Sequence, residues 1–177
     1  MKRAYVALLA VFAIGLVTDR DPHDDVRAEI AAAAVEADEA ERITDIVMSR
    51  NPALSEAEGL RIGRAVVRSA GNYRLDPDLV TAVLIVESGA RPWARSNKGA
   101  LGLMQVMPYM ATDMALAGNL TTIESNVEAG CRILADNIRR LGEDDGISSY
   151  FWGSNIRGVA YLDRVRAARD AVRRQES

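Results

Sequence analysis

The sequence predicts an all-α, mostly helical fold, and three observations carry that expectation. No stretch of useful length alternates apolar and polar residues with the period of two that a half-buried strand requires. Helix-start signals recur along the chain: Ser55 with Glu58, Asp76 before Pro77, and Thr121 with Glu124. Val127, Cys131, Leu134, Ile138 and Leu141 repeat at alternating spacings of four and three, the stripe of a buried helix.

Taken in order, the chain opens with Lys2-Arg3 and an apolar run over residues 4–17, the form of a secretory signal's first two regions. The run is short for a membrane span, so residues 1–20 read as a signal peptide, with an uncleaved N-terminal anchor as the alternative. Ala13-Ile14-Gly15 is the best small-residue cleavage site. Either reading predicts an exported protein, periplasmic or in the cell envelope, touching membrane only through an uncleaved segment. Residues 21–54 form an acidic arm. Its alanine-rich part favours helix over residues 24 to about 50, with Val26, Ile30, Val35, Ile43 and Val47 as a partial apolar face, until Asn51-Pro52 breaks it. Whether the arm packs on the domain or acts as a spacer stays open.

The domain proper is expected over residues 55–177. Ser55 and Glu58 make a capping box, and the helix they start turns Leu60, Gly63, Val67 and Ala70 inward before ending at Gly71-Asn72. Asp76 and Pro77 open the next helix, an apolar run closed by Glu87-Ser88-Gly89. A short helix is expected over residues 109–116. The striped helix follows from a capping box at Thr121 and Glu124, then a polar loop over residues 142–146. A last helix begins near Val159 with Leu162, Val165, Ala168 and Val172 inward.

Composition narrows the function. At 177 residues the chain suits one compact domain with an N-terminal extension, and its net charge of −3 argues against a nucleic-acid partner. The Arg-rich end reads as a solvated helix face, with contact to an anionic wall polymer or membrane as the alternative. Cys131 is the single cysteine and fits a buried core position, so no intramolecular disulfide forms. His23 is the single histidine and sits in the acidic arm, which excludes a Ser-His-Asp triad within the chain. No cluster has metal-ligand spacing, so neither metal nor other cofactor is expected.

Glu87 is the residue around which the chemistry gathers. It shares a helical stripe with Val80, Val83 and Leu84 and closes their helix. Apolar neighbours desolvate its carboxylate and the helix C-terminus disfavours an anion, so both effects raise its pKa toward the range of a general acid. Position alone does not separate it from the many solvated helix-terminal glutamates. The following segment does. After Arg-rich residues 91–98 come Gly99-Ala100-Leu101-Gly102-Leu103-Met104-Gln105-Val106-Met107-Pro108, a mostly apolar wall with a few polar groups, as in a ligand cleft.

Glu87-Ser88, Ser96, Gly99-Ala100 and Gly102-Leu103-Met104-Gln105-Val106-Met107-Pro108 resemble the first two signature motifs of the soluble lytic transglycosylase (SLT) domain family. That family is lysozyme-like and cleaves bacterial peptidoglycan, and the likeness extends over residues 55–172. The resemblance implies Glu87 as general acid and then base at the bond between N-acetylmuramic acid and N-acetylglucosamine, with a 1,6-anhydro product. Ser88, Gln105 and Tyr150 would orient Glu87 or the substrate's N-acetyl group, and Ser96 and Met104 would line the cleft. Asn126 stands where the family has an asparagine and is read as structural or as a support behind the cleft residues.

The family's third motif, Ala-Tyr-Asn-Ala-Gly, is altered here to Ser149-Tyr150-Phe151-Trp152-Gly153. The family's tyrosine hydroxyl hydrogen-bonds the catalytic glutamate, and that role is carried to Tyr150. Phe151 and Trp152 read equally as stacking surface for sugars and as core, and Trp93 divides likewise between cleft wall and packing. The nearest downstream acids, Asp113 and Glu124, lie in no matching motif. Two alternatives stand beside the lytic reading: a hydrolytic muramidase, as in the similar goose-type lysozymes, and a non-catalytic wall-binding module. Peptidoglycan strands are the expected partner, and an envelope machine as a further partner is left open.

Overall fold

A computed structural model of the chain describes residues 22–115 and 118–176. The expected signal or anchor over residues 1–20 lies outside the described residues. Seven helices are described: α1 (Pro22–Arg50), α2 (Glu56–Tyr73), α3 (Pro77–Ser88), α4 (Pro108–Asp113), α5 (Ile123–Leu141), α6 (Glu143–Trp152) and α7 (Ala160–Arg173), followed by a 3₁₀ turn (Arg174–Glu176). Among the described residues there is no strand, only isolated bridges joining Arg95 to Leu101 and Leu101 to Val106. The fold is all-α, as the sequence predicts. No described helix is long and apolar enough to cross a membrane.

The chain divides into two compact units within α1, between residues 33 and 34. The core belongs to the second unit and is built around α3. Leu79, Val80, Thr81, Ala82, Val83 and Leu84 are all buried, so α3 is enclosed on every face, as a helix apolar all round must be. Helix α7 packs along α3, α2 lies against both α3 and α5, and α5 supports α6. Asp76 caps α3 by accepting from the Asp78 amide, and Gly89 ends it at φ 60° in the left-handed region, both as expected.

The C-terminal turns of α1 are part of this core. Ala40, Ile43, Ile46 and Val47 are buried, whereas Val26, Ile30 and Val35 remain exposed. A glycine allows the close approach. A Cβ on Gly63 of α2 would stand 2.2 Å from the Ala40 carbonyl oxygen and 2.5 Å from Thr44 Oγ1.

Several expected boundaries move, each for a tertiary reason. Helix α2 keeps its Ser55 capping box but runs past Gly71-Asn72 to Tyr73, with Arg74 as a left-handed cap at φ 55°. Tyr73 holds that extra turn by donating to Glu128 of α5 at 2.6 Å. Its buried face is Ile62, Gly63, Ala65, Val66, Ser69 and Ala70, rotated from the expected stripe. The second capping box does not form: Thr122 caps α5 without a side-chain bond, and Glu124 instead makes a bidentate pair with Arg61 at 2.8 Å. Leu141, at the end of α5, is exposed rather than inward. Cys131 is fully buried among apolar neighbours, and burial pushes its thiol pKa up and keeps it protonated.

The expected polar loop over residues 142–146 is instead the start of α6. Gly142 at φ 82° ends α5, and Glu143, Asp144 and Asp145 then occupy the first turn of α6, where the helix dipole favours acids. Gly146 lets α6 fold back on α5, since a Cβ there would lie 2.6 Å from the Ile138 Cα. The Arg-rich end is not a free basic tail. Arg169 and Arg173 pair with Asp76, Arg173 and Arg42 with Asp78, Arg169 with Glu143, and Arg166 with Asp144. Burial pushes the Asp76 pKa up, but the hydrogen bonds from Arg169, the Asp78 amide and Arg173 together hold it below the usual aspartate value.

Two glycines of α2 should therefore respond in opposite ways to alanine. Gly63→Ala forces α1 away from α2 and should cost about 1–3 kcal/mol. Gly71→Ala meets nothing within 4 Å and should gain about 0.5–1 kcal/mol from helix propensity. Urea unfolding of both variants measures the difference. A neutral Gly63→Ala would place the C-terminal turns of α1 outside the cooperative unit.

Candidate active site

Glu87 sits in the last turn of α3, on the wall of a cleft of about 750 Å³. It is the one carboxylate among the described lining residues. Its Oε1 accepts a 2.6 Å hydrogen bond from the hydroxyl of Tyr161, which lies buried in the first turn of α7. One turn further along α7, the Arg164 guanidinium lies 5.6 Å from the centre of the Tyr161 ring. Phe151 of α6 stacks on the Tyr161 ring, with centres 4.9 Å apart and 14° between planes.

These neighbours act on the carboxyl in opposite directions. Burial raises the Glu87 pKa above the ordinary glutamate value, while the Tyr161 hydrogen bond and the Arg164 charge partly offset the rise. Tyr161 itself is driven far above the usual phenol range by burial and by the Glu87 charge, so it stays a donor. The arrangement is a carboxyl whose protonated form burial favours, with a donor ready for the anion left when that proton is given up.

The expected site residues divide into those on the cleft and those behind it. Gln105 and Ser96 line the cleft. Gln105 adopts a left-handed backbone at φ 48°, and its Nε2 donates to the carbonyls of Gly102 at 2.9 Å and Ala94 at 3.2 Å. Ser96 Oγ accepts from the Ala100 amide at 3.0 Å and fixes a turn at the cleft edge. Ser88 is buried and does not face the cleft. Its Oγ donates to the Leu84 carbonyl and accepts from the Arg91 amide, closing the end of α3.

Met104 departs from its expected role. Its side chain is fully buried against Gly130 of α5, where a Cβ would lie 2.5 Å from the Met104 Cβ, so it lines no cleft. Only its backbone serves the site. Tyr150 departs too: it lines the cleft, but its hydroxyl donates to the Met104 carbonyl at 2.8 Å and not to Glu87. The glutamate's partner is Tyr161, because α7 runs along α3 while α6 stands over the Met104 backbone. The one local pointer to Tyr161 is its place beside the Leu162 stripe. Nothing in the sequence singles out Arg164.

Asn126 has the structural role expected of it. Its Oδ1 accepts from the Met104 amide at 2.8 Å, and its Nδ2 donates to the carbonyls of Leu101 and Leu120. Gly102, at φ 74°, is required twice over, since a Cβ there would also lie 2.4 Å from Asn126 Nδ2. Phe151 is half exposed on the cleft wall, so it is not core filler. Trp152 also lines the cleft, edge-on to Phe151 with centres 4.9 Å apart, and its buried Nε1 has no acceptor among the described residues. Trp93 is exposed and outside the cleft lining. Asp113 and Glu124 are likewise elsewhere. No group of three or more potential metal ligands exists among the described residues.

Comparison with known families matches residues 65–161, over half of the chain, to the transglycosylase SLT domain. The chain belongs to the SLT domain family. The matched span of this SLT domain runs from α2 to Tyr161 and holds both partners of the 2.6 Å bond at Glu87. A transglycosylase of Enterobacteria phage PRD1 is 34% identical over 88 residues, which are 49% of this chain and 33% of that protein. The membrane-bound lytic murein transglycosylase E of Buchnera aphidicola is 37% identical over 46 residues, 26% of this chain and 21% of the relative. The endo-type membrane-bound lytic murein transglycosylase A of Klebsiella pneumoniae is 42% identical over 41 residues, 23% of this chain and 20% of the relative. The chain thus spans a third or less of the curated relatives it matches. Among solved structures, an inactive mutant of the lytic transglycosylase Slt from Pseudomonas aeruginosa aligns with a TM-score of 0.45 and 21% identity, covering 63% of this chain and 22% of that one.

The balance at Glu87 can be tested without any substrate. Arg164→Gln and Tyr161→Phe each remove a group that favours the anion, so both should raise the Glu87 pKa further. A ¹³C NMR titration of the Glu87 carboxyl, assigned with Glu87→Gln, reads the shift. A lower pKa in either variant would contradict the arrangement described.

Proposed function

We propose that this SLT domain is a peptidoglycan lytic transglycosylase acting at the β-1,4 bond between N-acetylmuramic acid and N-acetylglucosamine. The observation that carries the proposal is Glu87: a partly buried carboxyl with a raised pKa, the one carboxylate among the described cleft residues, held by Tyr161. Protonated Glu87 gives its proton to the glycosidic oxygen as the bond to the muramyl C1 breaks. The muramyl N-acetyl oxygen supports the positive charge developing at C1. Glu87, now an anion stabilised by the Tyr161 hydroxyl and the Arg164 charge, takes the proton of the muramyl 6-hydroxyl. The 6-oxygen bonds to C1 and closes the 1,6-anhydro ring, returning Glu87 to its acid form with no water consumed.

Gln105 and Ser96 are assigned to the substrate side of the cleft, and Ser88, Met104 and Tyr150 to its scaffold. Met104 acts through its backbone carbonyl, which Tyr150 holds. A hydrolytic muramidase of the two-carboxylate kind would place a second acid across the cleft, and none is among the described lining residues. We place the protein in the bacterial envelope, exported through its N-terminal segment, where its substrate lies. An envelope machine as partner is a matter for a pull-down.

Mass spectrometry of muropeptides released from purified peptidoglycan should find anhydro-terminated fragments. Reducing ends alone would make the enzyme a muramidase. Glu87→Gln should lower turnover by at least about 100-fold. The same variant should melt higher than the parent at pH 7. A carboxyl whose folded pKa is raised contributes stability that is full below the unfolded value of about 4.3 and lost as pH rises through the folded one. The gain from Gln should therefore vanish near pH 4, as calorimetry across pH would measure.

A further inference from the structure

We infer that Lys98 and Arg157 form a carboxylate-reading pair in the cleft, selecting glycan strands by the acidic branch on the muramyl 3-O-lactyl group. The inference rests on the lytic reading above and adds to it what part of the strand, other than the sugar rings, the cleft recognises.

Three observations support it. Apart from Glu87 and two tyrosines, the ionisable groups on the cleft are both cations, Lys98 and Arg157. The chain carries a net charge of −3, so a cationic lining does not follow from composition. When Glu87 holds its proton, the formal charge of the lining is positive, and a concave site of one sign concentrates ligands of the other.

Neither cation is engaged among the described residues. Arg61, Arg166, Arg169 and Arg173 are each bonded to a carboxylate, whereas Lys98 and Arg157 have no ion-pair partner among the described residues. They do not set the protonation of Glu87 either, which answers to burial, Tyr161 and Arg164. Their charge is therefore free to act on what enters the cleft.

Their backbones come from two separate loops. Lys98 sits in a turn fixed on both sides: the Gly99 amide donates to the Ser96 carbonyl at 3.0 Å, and the Ser96 and Ala100 backbones pair at 3.0 Å. Arg157 lies in the connection between α6 and α7, just after the Phe151 and Trp152 wall. A ligand that suits this lining has flat apolar faces for the aromatics and carboxylates for the cations. A homopolymer of N-acetylglucosamine has only the first. A muramyl strand has both, either as the free lactyl carboxylate or as the acids of the attached peptide.

The test uses the full chain carrying Glu87→Gln, so that bound strands stay intact. Dissociation constants are measured for soluble strands with peptide stems, for strands stripped of peptide but keeping the lactyl carboxylate, and for stripped strands whose carboxylate is converted to a neutral methylamide. The neutral strands should bind about 3- to 10-fold more weakly than the best charged strand at low salt, and the gap should close near 0.5 M salt. Adding Lys98→Gln and Arg157→Gln together should abolish the discrimination. Both positions are exposed, so an unchanged melting temperature shows that the fold survives. Weak binding of stripped strands would assign recognition to the stem acids, and strong binding to the lactyl carboxylate. Equal affinity for charged and neutral strands, or discrimination retained in the double variant, would overturn the inference. Muropeptide release by the unsubstituted chain is scored separately: its absence would count against the lytic reading alone.

Discussion

The burial of α3 is the constraint from which the rest of the structure follows. A helix apolar on every face needs neighbours all round, and its two polar ends then need partners of their own. Helix α7 supplies both. At one end Arg169 and Arg173 hold Asp76, and at the other Tyr161 holds Glu87. From Asp76 to Glu87 is a rise of about 16 Å, and from Tyr161 to Arg173 about 18 Å, so the two antiparallel helices meet at both ends in register. Two arginines of the Arg-rich C-terminus, Arg169 and Arg173, form this clamp.

The cost of the arrangement falls on Glu87. Burying a carboxylate destabilises the fold whenever the group is charged, and the raised pKa is the visible sign of that cost. Tyr161 and Arg164 recover part of it by favouring the anion. Glu87 lies two residues before Gly89, the left-handed glycine that ends the helix, on the side of α3 that meets the cleft.

The cleft floor depends on a second chain of contacts. Asn126 of α5 holds the backbone of Leu101 and Met104, and the Met104 carbonyl in turn holds Tyr150 of α6. Gly102, Gly130 and Gly146 make this possible by letting backbone or side chain approach where a Cβ would clash. The two aromatics that follow Tyr150 face the cleft because α6 starts at Glu143 and its pitch turns Phe151 outward over Tyr161. Phe151 and Trp152, where the third motif departs from the expected one, therefore stand on the cleft wall.

The sequence by itself determined the local features. It specified the all-α class, the capped start of α2, both ends of α3, the place of Glu87 and the structural role of Asn126. These rest on residue spacing, capping chemistry and a motif whose members lie close together along the chain. It also fixed the altered third motif, though not what Phe151 and Trp152 do. Contacts between distant segments were decided only by the tertiary structure. Tyr161, 74 positions from Glu87, took the role expected of Tyr150, since which hydroxyl reaches a carboxylate depends on how two helices dock. Met104 turned into the core because Gly130 left room for it. Glu124 gave up its cap for Arg61, 63 positions away. Helix caps and motif spacings are written within a few residues, but hydrogen-bond partners across a core are set by packing, which no local pattern encodes.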